Sequence, residues 1–230
     1  IYSEKVVLPS DDGSLLIEAA TLEIKNGCIE SVKRGELAND PDILNLGSLL
    51  VAPAFVNAHT HIALAALRGF VGGDSYRGNV VEELYFRFES ALTAEDVRAF
   101  ARVAALECLL SGTAVIWDHY YFGDALVEAL TDVGLSAVIA PTLQDLSGPG
   151  RTMWEEQIDS TLSIAANEHL KQQGIVAALG PHATDTVSND LWTRVRELSE
   201  PHNLPIHAHV AQSQEEHTRS LESHGDPPVE

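Results

Sequence analysis

Positive charge is scarce in this sequence. Lysine occurs only at Lys5, Lys25, Lys33 and Lys171, and 14 basic side chains stand against 34 acidic ones, a formal net charge of −20. A field of that sign repels phosphate backbones and anionic lipid, which argues against nucleic acid and membranes as partners. An acidic, lysine-poor surface fits an ordinary soluble protein or one suited to a salty habitat. Long apolar runs are also missing. Each apolar stretch meets Gly, Pro or a charge within about a dozen residues, too short to span a bilayer. Cysteine is nearly absent. Cys28 and Cys108 provide no disulfide framework, and both read as small buried hydrophobes in a reducing, cytoplasmic setting. There is no basic leader, and the chain opens on Ile1 rather than Met, so it is expected to begin inside a longer reading frame. No Gly-rich dinucleotide turn follows any strand-like run, which weakens a Rossmann-type reading.

Apolar residues nevertheless make up 45% of 230, enough to bury a substantial core in one large domain, or in one domain plus a small one. The first fifty or so residues read as strands. "TLEIKNGCIESV" alternates on both sides of Asn26-Gly27, a pair that tolerates the positive φ of a two-residue hairpin turn. Residues 1–52 are therefore expected to form a small β domain.

From Leu49 the pattern changes to short apolar runs alternating with helical periodicity. The runs are "LLVAPAFV", "TAVIW", "LSAVIAP", "IVAALGP" and "LPIHAHV". Between them lie helices at 93–112, capped by Thr93 with Asp96 three residues on, at 123–134, at 154–174 and at 188–203, capped by Ser188; a fifth begins near Gln212. Strands that are apolar throughout imply a parallel sheet buried on both faces, either an open doubly wound sheet or a (β/α)₈ barrel. In each, the active site lies at the carboxyl ends of the strands.

The histidines gather at those ends. His59 and His61 follow the first run, Asp118-His119 the second, His182 the fourth, and His207 and His209 lie on the fifth. In a strand, residues i and i+2 share a face, so His59 and His61 reach one point together. A divalent ion there gives each buried ring a partner, and zinc and iron both accept imidazole. The alternative is a pair hydrogen-bonded to backbone. A second such pair on another strand of the same sheet adds weight to the metal.

The stretches "LLVAPAFVNAHTHIALAALRG", "GPHATDTVS" and "LPIHAHVAQSQEE", in that order, resemble the amidohydrolase superfamily. Within it they are most similar to the branch of aminated-heterocycle deaminases and triazine chlorohydrolases. The resemblance implies a metal-dependent hydrolase on a (β/α)₈ TIM-type barrel, with a small β-sandwich made from both chain ends. Only about five βα units are present, so 53–230 would be the N-terminal portion of the barrel and 1–52 part of the sandwich. By position, the resemblance implies His59, His61 and His209 as metal ligands and His182 as a catalytic, substrate-facing residue. Arg68 and Gly69 match a structural or lid-forming loop. Zinc is the expected cofactor, with iron as the alternative. The implied reaction is hydrolytic deamination, or dechlorination, of a nitrogen heterocycle of adenosine or triazine type by metal-activated water. The expected partner is that small molecule.

Two departures stand out. The proton-shuttling Glu of the family, three residues after the last histidine ligand, is Gln212 here, and an amide cannot move a proton. The acid is supplied elsewhere (Glu215, Glu216 or a residue beyond the chain), or the reaction needs less acid, or activity is lost. An altered but working hydrolase is the favoured reading. Second, the family draws a further histidine and an aspartate ligand from later strands, whereas this chain stops at Glu230. It is expected to be a fragment, a homo-oligomer, or one part completed by a complementary chain; the alternative function is an inactive half-barrel that associates with such a chain.

The remaining polar residues read as structural. Asp118 is taken as a strand-end residue capping a loop and His207 as a hydrogen-bonded core residue one layer below His209. Trp117 is read as packing, while Tyr120 and Tyr121 are candidates to line a pocket for a flat ring. Glu89 is read as holding a loop and Asp145 as solvated. His169, His202, His217 and His224 are expected to face solvent.

Overall fold

The hairpin at Asn26-Gly27 is formed. Strands β1 (Tyr2–Pro9), β2 (Leu15–Lys25), β3 (Cys28–Arg34) and β4 (Leu50–Val51) make one sheet in the order β3-β2-β1-β4. Lys25 pairs with Cys28 across the turn, where Asn26 and Gly27 take φ of 51° and 77°. Val6, Leu8, Ala20 and Leu22 form its small core. The computed structural model describes residues 1–35, 40–69 and 79–229. The chain divides into two units, Ile1–Ala54 and Phe55–Glu230, of which this sheet belongs to the first.

The second unit is a parallel α/β arc. Its strands are β5 (Phe55–Thr60), β6 (Thr113–Tyr120), β7 (Ser136–Leu143), β8 (Ile175–Ala177) and β9 (Gly180–Pro181). They are hydrogen-bonded in chain order, β5-β6-β7-β8, with β9 also on β7. A doubly wound sheet reverses its order at a switch point. This one runs straight on, as the strands of a barrel do. Glycine is needed where β9 closes on β7: a Cβ at Gly180 would lie 2.5 Å from the Pro141 carbonyl oxygen. That approach delivers His182 two residues later.

The helices are α1 (Phe86–Glu89), α2 (Ala94–Leu110), α3 (Gly123–Val133), α4 (Trp154–Ala166), α5 (Glu168–Gln172), α6 (Asn189–His202) and α7 (Gln214–His224). A reciprocal capping box starts α2: Asp96 N–H donates to the Thr93 hydroxyl at 3.2 Å and Thr93 N–H donates back to Asp96 at 2.9 Å. Val97, Ala101 and Ala104 then face the core, as Leu191, Val195 and Leu198 do on α6. Among the described residues, no helix is long and apolar enough to cross a membrane.

Three local expectations are corrected. The helix expected over 154–174 breaks at Asn167, whose side chain accepts the N–H groups of His169 and Leu170 and so caps a separate α5. The fifth apolar run forms no continuous strand; it touches the sheet through single bridges, Leu179 to Ile206 and Ala183 to His209. Cys28 is exposed, because it sits where β3 leaves the hairpin turn, and Cys108 is only partly buried.

Candidate metal centre

Six imidazoles converge at the carboxyl end of the arc: His59 in β5, His61 just past it, His119 in β6, His182 after β9, and His207 and His209 on the fifth extended stretch. The ring centroids of His59, His61 and His209 lie 4.9, 4.9 and 5.0 Å apart, a near-equilateral triangle. One nitrogen from each ring lies within 4.8 Å of those of the other two.

Backbone carbonyls set the direction of two of these rings. His61 Nδ1 lies 2.6 Å from the His119 carbonyl, and His209 Nδ1 lies 2.9 Å from the His182 carbonyl. A carbonyl oxygen can only accept, so each Nδ1 carries the ring proton and each Nε2 a lone pair. The two Nε2 atoms face each other at 3.1 Å. Lone pairs that close repel unless a cation lies between them. Two nitrogens, each about 2.0–2.1 Å from one tetrahedral zinc, are separated by about 3.3 Å. The donor set therefore fits a divalent ion.

The surroundings favour the neutral form, the one a metal requires, at His61, His119, His182, His207 and His209. Burial pushes His61 down to about 4, against the opposing pull of its bond to the His119 carbonyl. Burial likewise lowers His209, takes His207 to about 4, and holds His119 and His182 well below the usual imidazole range. Asp118, fully buried, accepts the Ile62 N–H at 2.6 Å and so fixes the chain immediately after His61. Its carboxyl is pushed up to about 7 by burial.

A cavity of about 140 Å³ opens beside the rings, and His61, His119, His182, His209 and Gln212 all line it. His182 Nδ1 is engaged by the Thr186 hydroxyl at 2.9 Å, which leaves Nε2 available to a bound molecule. Tyr120 and Tyr121 are buried in the wall. Trp117 instead packs on Val138, Ala140 and Ala178. A further part of the wall is one the sequence did not reveal. It comes from the helical segment ending in α1: Val81, Tyr85, Phe86 and Glu89. Glu89 is 8% exposed, and burial pushes its carboxyl up to about 7, with Tyr120 opposing. Arg219 of α7 anchors this segment, pairing with Glu82 and, at 3.0 Å, with Asp185.

Gln212 is exposed at the rim, and its N–H donates to Glu216 at 2.6 Å. Glu216 is fully buried, and its other carboxylate oxygen accepts the Thr184 hydroxyl at 2.7 Å. Glu216 thus closes the turn into α7, and Glu215 points to solvent. Asp145 is also committed: it accepts the N–H of Ser188 at 2.7 Å as well as its hydroxyl, pinning the start of α6 rather than facing solvent. Arg68 pairs with Glu107 through two contacts of 2.7 Å, tying the turn after His61 to α2.

The profile of the amidohydrolase family matches residues 50–227. The chain belongs to the amidohydrolase family. A 5-methylthioadenosine/S-adenosylhomocysteine deaminase of Thermococcus kodakarensis is 31% identical to this amidohydrolase over 217 residues, 94% of this chain and 50% of the relative. The chain spans about half the length of the curated relatives it matches. Among solved structures, a zinc-bound adenosine deaminase from Xanthomonas campestris superposes with a TM-score of 0.80 at 22% identity, covering 99% of this chain and 52% of that one. A zinc complex of an atrazine chlorohydrolase from Arthrobacter aurescens gives 0.74 at 18%, covering 98% and 55%. At these identities the two structures speak for the fold, a TIM-type barrel of which this arc is about half.

Proposed function

We propose that this amidohydrolase is a metal-dependent hydrolase that deaminates a nitrogen heterocycle of adenosine type, with His59, His61 and His209 as metal ligands and zinc as the metal. The observation that carries this reading is the pair of Nε2 lone pairs of His61 and His209 facing each other at 3.1 Å, with His59 completing the triangle. A divalent ion held there supplies water activated near neutral pH.

The chain's own residues do the rest. Carbonyls of His119 and His182 hold two ligand rings in the tautomer that binds. His182 presents Nε2 to the heterocycle, fixing the electron-poor carbon near the metal. Tyr120, Tyr121 and Phe86 flank the cavity and exclude water. Glu89, uncharged up to about pH 7, offers a carboxyl to a polar substituent of the substrate. Gln212 holds the leaving group or the attacking water by hydrogen bonds without passing a proton. Dechlorination of a triazine uses the same apparatus and needs less acid, since chloride leaves unprotonated. The second reading, a silent half-barrel completed by a complementary chain, is supported by Gln212, whose amide cannot move a proton.

Elemental analysis of the purified protein, together with ammonia and chloride release from 5′-methylthioadenosine, adenosine and chlorotriazines, tests this. About one zinc per chain with ammonia release is expected. Failure to take up any divalent metal overturns the metal reading; metal without turnover favours the silent half-barrel.

A further inference from the structure

Two of the three ligand rings are oriented by main-chain carbonyls, and the third is not. His59 Nδ1 lies 2.8 Å from Nε2 of another histidine, His207. Building on the metal centre proposed above, we propose that His207 is a positioning residue: its Nε2 accepts the Nδ1–H of His59 and thereby turns the Nε2 lone pair of His59 toward the ion.

The argument rests on where one proton sits. If it is on His59 Nδ1, Nε2 of His59 is a lone pair, matching His61 and His209. If it is on His207 Nε2, His59 must carry its proton on Nε2 and cannot ligate through that atom. An ion in the triangle selects the first arrangement. His207 itself lies outside the ligand set, for among the described residues the mutual 4.8 Å group holds only His59, His61 and His209.

His59 needs such a partner. It sits exposed on β5, and a histidine's terminal torsion has a broad, roughly two-fold preference that does not fix the ring by itself. The setting of His207 also argues against simple space filling. Its other nitrogen, Nδ1, is buried with no hydrogen-bond partner, and its ring meets Trp117 and His119 edge-on at 5.6 Å. A half-satisfied imidazole is a costly filler where an apolar side chain would pack as well. What the imidazole adds is the acceptor facing His59.

The test compares His207→Gln with His207→Leu in the intact chain. The two side chains are close in size and lose the same ring packing, but only glutamine places an acceptor near the former Nε2. Zinc dissociation constants from chelator competition are expected to weaken by about 10- to 100-fold in the leucine variant, with most of that recovered in the glutamine variant. The visible spectrum of the cobalt-substituted protein should change with leucine and stay close to the parent with glutamine. Equal weakening in both variants, or parent-like affinity with leucine, overturns the proposal. A parent protein that binds no zinc would instead overturn the metal centre itself.

Discussion

The Nε2 atoms of His61 and His209 face each other at 3.1 Å across a sequence separation of 148 residues. Their orientation is dictated from behind, by carbonyls that accept each Nδ1 proton. Metal affinity should therefore depend steeply on either ring. In the parent, zinc at about a hundred times its dissociation constant adds about 2.7 kcal/mol of stability, seen as a rise in Tm that chelator reverses. In His209→Ala that rise should vanish.

Gln212 lines the cavity proposed to take the substrate, where an ionisable group would reach a bound molecule. Gln212→Glu is expected to raise deaminase turnover by at least about 10-fold, since a placed general acid or base typically contributes more than that. Ammonia release from an adenosine-type substrate measures it. Unchanged turnover would show that the missing acid does not limit the rate.

Glu216 and Glu215 are neighbours with opposite roles. Glu216 accepts from both Thr184 and the Gln212 N–H inside the protein, whereas Glu215 is exposed. Glu216→Ala should cost about 3 kcal/mol in denaturant unfolding, because two donors lose a charged acceptor. Glu215→Ala should stay within about 0.5 kcal/mol of the parent.

Glu89 gives stability a pH dependence of defined sign. Its folded pKa of about 7 lies above the ordinary 4.5, so the folded chain holds a proton that the unfolded chain releases. Its contribution is intact below about pH 4.5, declines as pH rises, and is lost above about pH 7. Glu89→Gln removes the ionisation, so its stability relative to the parent should grow over that window, by up to about 3 kcal/mol. A difference that does not change with pH would contradict the burial of that carboxyl.

Much of this was legible in the sequence because it is local. Asn26-Gly27 specifies its turn, Thr93 and Asp96 specify a helix start, and His59 and His61 share a direction by strand geometry alone. What was not legible depends on distant partners. Nothing near Glu89 announces that it will be buried in a cavity wall, with Tyr120 opposing the effect of that burial. Asp145 looks like a loop carboxylate until Ser188 arrives from 43 residues away. The extended run around His207 and His209 resembles a strand, yet it pairs through isolated bridges only. The nitrogens that His61 and His209 turn toward each other are chosen by carbonyls of His119 and His182, and no residue pattern encodes which carbonyl a ring will meet.

The arrangement of β5 and the stretch holding His209 has a consequence for assembly. An ion held at the proposed centre would act as a clasp across the 148 residues that separate His61 from His209, and closing a loop that long is entropically unfavourable until the segments between have condensed. The clasp can fasten only late, so cation capture would report that the whole intervening arc is in place, and withdrawing the cation should loosen the seam between first and last segments before it disturbs the sheet.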